Sequence, residues 1–336
     1  MTQNYVVPSQ MIAIEVINPG KQSQLQQVTV AVPALKAGQV LVKVAAAGVN
    51  RADLLQRSGS YPPPAGESDI LGLEVAGTVV AVADDVSAAW LGQTVFALVP
   101  GGGYAQYVAV PAEHLIKKPA SLGMSEAAAC AEVFLTAFQA MRAVGSLPDQ
   151  GALLVHAGAS GVGTAAIQLG KALGCFVAVT VGSDDKATAC LALGADVAVN
   201  YKTQDFVTEL KAVRPQGFDL IIDPVAGDYI AKDIQLLALD GQIVVLSMLG
   251  GRMTPELDLG LMLKKRGQLL CSTLRSRTDS YKAALISEFN QEFGSALAER
   301  KLKPVLAESI DWSEAERAHQ LLESNAVVGK LVLTLF

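Results

Sequence analysis

A glycine-rich turn is the stretch of this sequence with the clearest chemical meaning. It reads Gly158-Ala-Ser160-Gly161-Val162-Gly163, between an apolar run at 153–155 and a segment at 165–173 with helical apolar spacing. Backbone N–H groups at a helix start bind phosphate when no side chain blocks the approach, and glycine removes that block. The pattern predicts a dinucleotide pyrophosphate site. Ser160 departs from the usual GxGxxG, and a tight turn without a ligand remains the alternative.

The residues after the next two expected strands bear on which dinucleotide binds. NAD-specific sites carry an acid about 20 residues beyond the turn, and here Gly182 and Ser183 occupy that place. Lys186 follows three residues later and Tyr201 ends the third strand, so donors face a ribose 2′-phosphate where an acid would repel it. The pattern favours NADPH. Ser183, with two aspartates after it, is also a good helix N-cap, and both interpretations can hold together.

The elements that must position this turn alternate in type. After the first strand come FVAVTV, DVAVNY, DLIIDPV, GQIVVLSM and GQLLCSTL as strands, with helical KATACLALG, DFVTELKAV and YIAKDIQLLA between the earlier ones. Six strands with crossovers predict an α/β fold with a parallel, doubly wound sheet, whose ligands bind at the carboxyl ends of its strands.

The chain ends predict a second domain. Met11 to about Gly123 alternate apolar residues over short lengths, which predicts a β domain interrupted by one helical turn at Arg51 to Arg57. The segments from Arg275 to Phe293 and from Trp312 to Glu323 are expected to be helical. The final apolar segment, KLVLTLF, needs a sheet to join, so we expect it to close the β domain.

Composition favours small-molecule chemistry. The 336 residues are 51% hydrophobic and 17% charged, with a net charge of −6 and no basic block, so nucleic acid is not an expected partner. No stretch reaches the roughly 20 apolar residues of a membrane span, and no secretion signal is visible, so we expect a cytoplasmic protein. Four scattered cysteines and three histidines do not form a metal-ligand pattern, so no metal is expected.

Several segments together resemble a known family. AAAGVNRADLLQRSGSYPPPAG, ILGLEVAGTVV, HAGASGVGTAAIQLGKALG, NYKTQDF, LALDG and STLRSR are similar to the zinc-independent quinone oxidoreductases of the medium-chain dehydrogenase/reductase superfamily. The likeness is nearest to the tumour-suppressor-inducible branch, a relative of zeta-crystallin. It implies a discontinuous GroES-like domain (1–125 and 276–336), a Rossmann domain (126–275), NADPH, and a homodimer through the last Rossmann strand. In zinc-containing relatives a cysteine stands at Asn50 and a histidine at Leu73, before Glu74.

The resemblance also implies roles by matched position. Asn50 and Tyr61 would be the catalytic pair beside nicotinamide and substrate, with Asn50 also touching the cofactor. The other cofactor contacts would be Thr136, Gly158, Ser160, Gly161, Val162, Gly163, Gly182, Ser183, Lys186, Tyr201, Val225, Met248, Leu249, Gly250, Leu274, Arg275, Ser276 and Lys330. Val327 stands where the family often has an asparagine. Local alternatives are a rim aromatic at Tyr61, a strand-end cap at Asn50 and a self-bonded helix hydroxyl at Thr136.

The expected reaction is metal-free hydride transfer from NADPH to a quinone, with an ortho-quinone favoured. Asn50 and Tyr61 would donate hydrogen bonds to the developing oxyanion, and water would supply protons. An alkenal or enone double-bond reductase would use the same cofactor and fold. A non-catalytic NADPH-binding redox sensor is the alternative from another class.

Overall fold

The computed structural model describes residues 5–20 and 22–335. The chain divides into two compact units, residues 1–133 with 275–336 and residues 134–274. The second unit therefore begins at 134, where the sequence analysis placed the boundary at 126, and it ends at 274 in place of 275.

The described residues contain the following elements. The strands are β1 (Gln10–Ile17), β2 (Gln24–Ala31), β3 (Gln39–Val49), β4 (Glu74–Val82), β5 (Thr94–Leu98), β6 (Tyr107–Pro111), β7 (Leu115–Lys117), β8 (Ala152–Val155), β9 (Phe176–Val181), β10 (Val197–Asn200), β11 (Phe218–Asp223), β12 (Leu237–Val245), β13 (Gln268–Cys271), β14 (Leu306–Asp311) and β15 (Lys330–Thr334). The α-helices are α1 (Arg51–Arg57), α2 (Met124–Ala128), α3 (Ala131–Phe138), α4 (Gly161–Ala172), α5 (Asp184–Ala192), α6 (Phe206–Val213), α7 (Tyr229–Leu236), α8 (Leu259–Lys265), α9 (Asp279–Ala298) and α10 (Ala315–Glu323).

The first unit is built on a β-sheet that both chain ends form. Its strand order is β14-β15-β3-β4-β5-β7, with β6 also paired to β3, while β1 and β2 form a separate antiparallel pair. Strand β15 lies antiparallel to β3, with Leu331 opposite Val49. The prediction that the last apolar segment closes the β domain is confirmed. Alternating valines, leucines and isoleucines of these strands form its buried core.

The second unit is a six-stranded sheet in the order β10-β9-β8-β11-β12-β13. Every pair of neighbours is parallel, so all six carboxyl ends lie on one edge. The inner strands β8, β9 and β11 are mostly buried apolar runs, as expected where helices cover both faces. The predicted α/β fold with a parallel six-stranded sheet is confirmed.

One predicted helix start is wrong, and two further helical features had no prediction. Helices α2 and α3 are separate, because the N–H of Glu132 donates to the Glu74 carboxylate at 2.9 Å and a new helix starts there. A π-helical turn at 139–144 follows α3. The helix expected from Arg275 begins only at Asp279, since Thr278 caps it by accepting from the N–H of Tyr281.

Two elements were missed in the sequence. Strand β14 alternates buried and exposed residues only weakly, and it pairs with β15 alone among the described strands. Helix α8 consists of exposed or half-buried residues, so it lacks the apolar face by which helices are recognised.

Candidate functional site

The glycine turn runs from β8 directly into α4, as the sequence predicts. Ser160 is the N-cap of α4, and its hydroxyl accepts a hydrogen bond from the N–H of Gly163 at 3.0 Å. Capping explains why serine replaces glycine in the pattern. The N–H groups of Gly161 and Val162, the first two helical residues, have no acceptor within the helix and are available to an anion.

The inner side of the turn leaves no room for side chains. A β-carbon on Gly158 would lie 2.5 Å from the β-carbon of Val179, and one on Gly163 would lie 2.5 Å from the carbonyl oxygens of Ala157 and Gly158. These contacts are too short for any residue but glycine. The turn is therefore packed closely against the sheet while its helix N-terminus faces outward, an arrangement that fits a pyrophosphate.

Most other predicted cofactor residues follow the carboxyl ends of parallel strands. In order these are Gly182 and Ser183 after β9, Tyr201 after β10, Val225 after β11, Met248, Leu249 and Gly250 after β12, and Leu274 after β13. The second unit thus brings them to one edge of one sheet. Thr136 lies in α3 of the same unit, and Arg275 and Ser276 begin the second segment of the first unit.

The residues expected to hold the adenosine phosphate form a corner beside β9. A β-carbon on Gly182 would lie 2.9 Å from the phenol oxygen of Tyr201, so glycine is what lets the phenol approach. Ser183 caps α5, and the N–H of Lys186 points to its hydroxyl at 3.4 Å. Asp184, which could have repelled a phosphate, accepts a hydrogen bond from Asn200 at 2.8 Å.

Lys202 was missed in the sequence analysis. Its Cε lies 3.5 Å from the position of a β-carbon on Gly182, on the same side as the phenol of Tyr201. Its place directly after Tyr201 is the signal that could have found it. The side chain of Lys202 therefore lies beside that of Tyr201 in this corner.

A buried polar network beneath the turn was also missed. His156 Nε2 lies 2.7 Å from Asp233 Oδ1 and His156 Nδ1 lies 2.8 Å from the Thr180 hydroxyl. Burial alone would lower the pKa of His156, but the Asp233 charge raises it above its ordinary value. Burial raises the pKa of Asp233 to about 6 despite the opposing effect of His156. Asp223 continues the network by accepting from the N–H groups of Val225 and Ala226, which fixes the loop after β11.

In the first unit, Asn50 lies at the end of β3 and is the N-cap of α1. Its side chain is 6% exposed, and its Nδ2 donates to Glu74 Oε1 at 3.1 Å and to the Gly48 carbonyl at 3.4 Å. Its Oδ1 accepts from Lys330 Nζ at 2.5 Å. Both amide hydrogens are therefore used inside the unit, and the expected donation from Asn50 to a substrate oxygen does not fit this arrangement.

Lys330, expected to touch the cofactor, is bound in the same cluster. Its ammonium donates to Asn50, to the Val49 carbonyl at 2.8 Å and to Glu74 at 2.8 Å, so its three hydrogens have acceptors within the unit. Its side chain therefore orients Asn50 and Glu74, which is a different role from a ribose contact.

Tyr61 and Arg275 meet within the first unit. The guanidinium carbon lies 5.4 Å from the centre of the Tyr61 ring, within range of a cation–π interaction. Arg275 Nε donates to the Pro100 carbonyl at 2.7 Å and Nη2 to Gln56 Oε1 at 2.7 Å. Burial raises the pKa of Tyr61, so its hydroxyl stays protonated and can donate.

The described residues offer neither a metal centre nor a membrane span. No group of three or more His, Cys, Asp and Glu side chains among them is placed to hold a metal ion, and Leu73 is a buried core residue. No helix in that part of the chain is both long and apolar enough to cross a bilayer.

Comparison with known proteins places this fold and turn in a family. Residues 36–120 match the alcohol dehydrogenase GroES-like domain, and residues 161–291 match the domain described as zinc-binding dehydrogenase. Human quinone oxidoreductase is 32% identical over 314 residues, which are 91% of this chain and 92% of the relative.

Solved structures with the same fold support the same family. The quinone oxidoreductase of Thermus thermophilus, solved also with NADPH, is 31% identical with a TM-score of 0.80, over 96% of this chain and 100% of that one. A mycobacterial protein complexed with NADPH is 29% identical with a TM-score of 0.85, over 97% and 100%. The chain belongs to the medium-chain dehydrogenase/reductase superfamily, among its quinone oxidoreductases. It is an oxidoreductase built for a nicotinamide cofactor.

Proposed function

We propose that this protein reduces quinones with NADPH and without a metal ion, with ortho-quinones preferred. The residues expected to hold the adenosine phosphate, beside β9, are the main support for NADPH over NADH. Gly182 stands where an NAD-specific site has an acid, and Ser183, Lys186, Tyr201 and Lys202 would supply donors there. NADH has no 2′-phosphate to use them.

The residues on the sheet edge would hold the cofactor along its length. Gly161 and Val162 would donate backbone N–H groups to the pyrophosphate, and the loops after β11 and β12 would line the nicotinamide end. The buried His156, Asp233 and Asp223 keep the first of these loops in place. When bound, the reduced nicotinamide supplies a hydride. The protein contributes position, exclusion of water and hydrogen-bond donors.

The ammonium of Lys330 supports metal-free chemistry. It lies 2.8 Å from Glu74, beside Asn50, which occupies the place of the cysteine ligand of zinc-containing relatives. A fixed positive charge at this position would repel a metal cation. Leu73, in the place of the histidine, has no ligand atom.

Substrate tests separate the candidate reactions. NADPH oxidation is followed at its absorbance maximum with an ortho-quinone, a para-quinone and a medium-chain alkenal, before and after treatment with a chelator. Quinone turnover that survives chelation supports the proposal. Turnover of the alkenal alone would establish a double-bond reductase, and tight NADPH binding without turnover of any of the three would favour a redox sensor.

We propose that the protein works in the cytoplasm, and cell fractionation tests this.

We also propose that the protein is a homodimer in which the β13 strands of two copies pair. In the described chain β13 pairs only with β12, and Leu269 on it is 40% exposed, with Leu259 and Leu263 of α8 at 68% and 80%. An unpaired apolar edge is a site for strand pairing between copies. Leu269→Lys should halve the mass measured by light scattering, while Leu191→Lys on the exposed face of α5 should not.

A further inference from the structure

The proposed reaction needs a hydrogen-bond donor for the substrate oxygen on which negative charge develops. Both amide hydrogens of Asn50 are already used within the first unit. Another donor in the first unit is unused. Arg275 as a residue is only 7% exposed. Its Nη1 is buried and has no hydrogen-bond partner among the described residues. A buried N–H without an acceptor is costly, so such a group in a native protein points to a ligand that binds there.

The surroundings of Arg275 leave its charge without an acidic partner. Its two contacts, the Pro100 carbonyl and the Gln56 amide oxygen, are neutral. Asp53 and Glu67 act on it only at a distance, and none of the ion pairs in the described part of the chain includes it. Gln56 is itself fixed, because its Nε2 donates to the Asp69 carbonyl at 2.8 Å. The guanidinium is therefore held rigidly with one side unused.

We propose that Arg275 Nη1 and the Tyr61 hydroxyl form a donor pair for the substrate oxygen that becomes negatively charged. This inference rests on the proposed function. A hydride transferred to a quinone leaves its electron pair on the ring oxygens, so the quinone becomes a hydroquinone monoanion and the nicotinamide is oxidised. A proton from water then completes the hydroquinone. Arginine stays charged throughout, which makes it a stronger donor for an anionic oxygen than an amide would be.

Tyr61 is the member of the pair that covers the guanidinium. Its ring is half-buried over the guanidinium, and it lies on a loop whose glycines, Gly59 and Gly66, have φ values of +78° and +85°. The base of the loop is fixed by the N–H of Tyr61, which donates to the Leu55 carbonyl at 3.1 Å. In the proposed complex a flat quinone lies against this ring with its oxygen toward Nη1.

A phenolate probe measures the site without turnover. The absorbance of 4-nitrophenol bound to the oxidised holoenzyme is titrated with pH in the wild type, in Arg275→Met and in Arg277→Met. Arg277 is a matched control, since its guanidinium lies 4.7 Å from the Tyr281 ring but on the exposed surface. A nearby cation lowers the pKa of a bound phenol by about one unit or more, so the shift should occur in the wild type and in Arg277→Met and vanish in Arg275→Met.

Kinetics with chemical rescue provides the second measurement. Arg275→Ala should lower kcat for the quinone about 100-fold, as for loss of an oxyanion donor. Added guanidinium ion should restore turnover saturably, and urea should not. A merely structural arginine would show neither the phenolate shift nor rescue.

The outcomes separate this inference from the proposed function. If the wild type does not reduce quinones with NADPH, the proposed function fails. If it does, and the Arg275 variants match Arg277→Met in both measurements, the donor pair is wrong. Should Arg275→Ala not fold, Arg275→Lys and Tyr61→Phe decide: each should lose about tenfold in kcat and part of the phenolate shift, and unchanged values in both would overturn the inference.

Discussion

The Lys330 ammonium lies 2.8 Å from the Glu74 carboxylate, and both side chains are buried, at 5% and 0% exposed. Removing one member of such a pair leaves an uncompensated charge. Lys330→Met should therefore lower the free energy of unfolding by about 3–5 kcal/mol in urea denaturation. The double variant Glu74→Leu with Lys330→Met should recover much of that loss.

Lys301 provides the control for this prediction, since its pair with Glu299 is on the surface. Lys301→Met should leave the urea midpoint unchanged. Equal midpoints for Lys330→Met and Lys301→Met would show that the buried pair does not stabilise the β-sheet unit.

Gly163→Ala tests the packing of the glycine turn. The added methyl would lie 2.5 Å from two backbone carbonyl oxygens, which cannot move aside without opening the turn. We expect a loss of about 1–3 kcal/mol in stability and at least tenfold weaker NADPH binding by calorimetry. Gly294→Ala, in α9, meets only Asn290 at 3.9 Å and should stabilise the protein by about 0.5–1 kcal/mol. Normal NADPH affinity in Gly163→Ala would place the pyrophosphate elsewhere.

Lys186→Ala tests the adenosine corner. Loss of one charge-assisted hydrogen bond to the 2′-phosphate should raise the KM for NADPH at least about tenfold and leave the KM for NADH unchanged. Lys211→Ala, on the exposed face of α6, is the matched control and should change neither constant. Unchanged NADPH kinetics in Lys186→Ala would remove Lys186 from the site.

His319 makes the stability of the protein depend on pH. It is 1% exposed, and burial, with a smaller effect of Arg57, lowers its pKa from 6.5 to about 3. Between pH 6.5 and 3 the imidazole of His319 is protonated in the unfolded state and neutral in the folded state. The stabilisation is therefore complete above pH 6.5 and is lost as the pH falls, by at most about 1.4 kcal/mol per pH unit.

Comparison with His319→Gln isolates this contribution. Burial raises the pKa of Asp53 from 3.8 to about 6. Its effect on the pH dependence of stability is opposite to that of His319, because as the pH falls the carboxyl of Asp53 is protonated in the folded state before it is protonated in the unfolded state. Urea denaturation at several pH values between 7 and 5 should show stability that falls more steeply in the wild type than in His319→Gln. Parallel curves would show that His319 titrates normally in the folded protein.

The glycine turn and the parallel sheet could be predicted from sequence because both follow from local rules. Gly158 and Gly163 are required by close contacts with the Val179 side chain and with backbone oxygens of the turn, and the strands beside them are apolar runs of the length that buried strands have. The residues at the strand ends follow from the same topology, since every parallel strand delivers its last residues to one edge.

The first unit's polar cluster could not be predicted in the same way. Lys330 reaches Asn50 from 280 positions away, and Arg275 reaches Gln56 from 219. A matched position gives the residue type at a site, whereas a donor's availability depends on which neighbours already use its hydrogens. Asn50 and Arg275 differ in this respect, and only the folded contacts show it.

The central claim is that NADPH reduces quinones in this site without a metal ion. The most direct measurement is kcat/KM for an ortho-quinone with NADPH and with NADH, on enzyme whose metal content has been determined by elemental analysis. We predict turnover in metal-free enzyme and a preference of at least about tenfold for NADPH, the value of one charge-assisted hydrogen bond. Stoichiometric zinc required for turnover, or equal use of both cofactors, would contradict the claim.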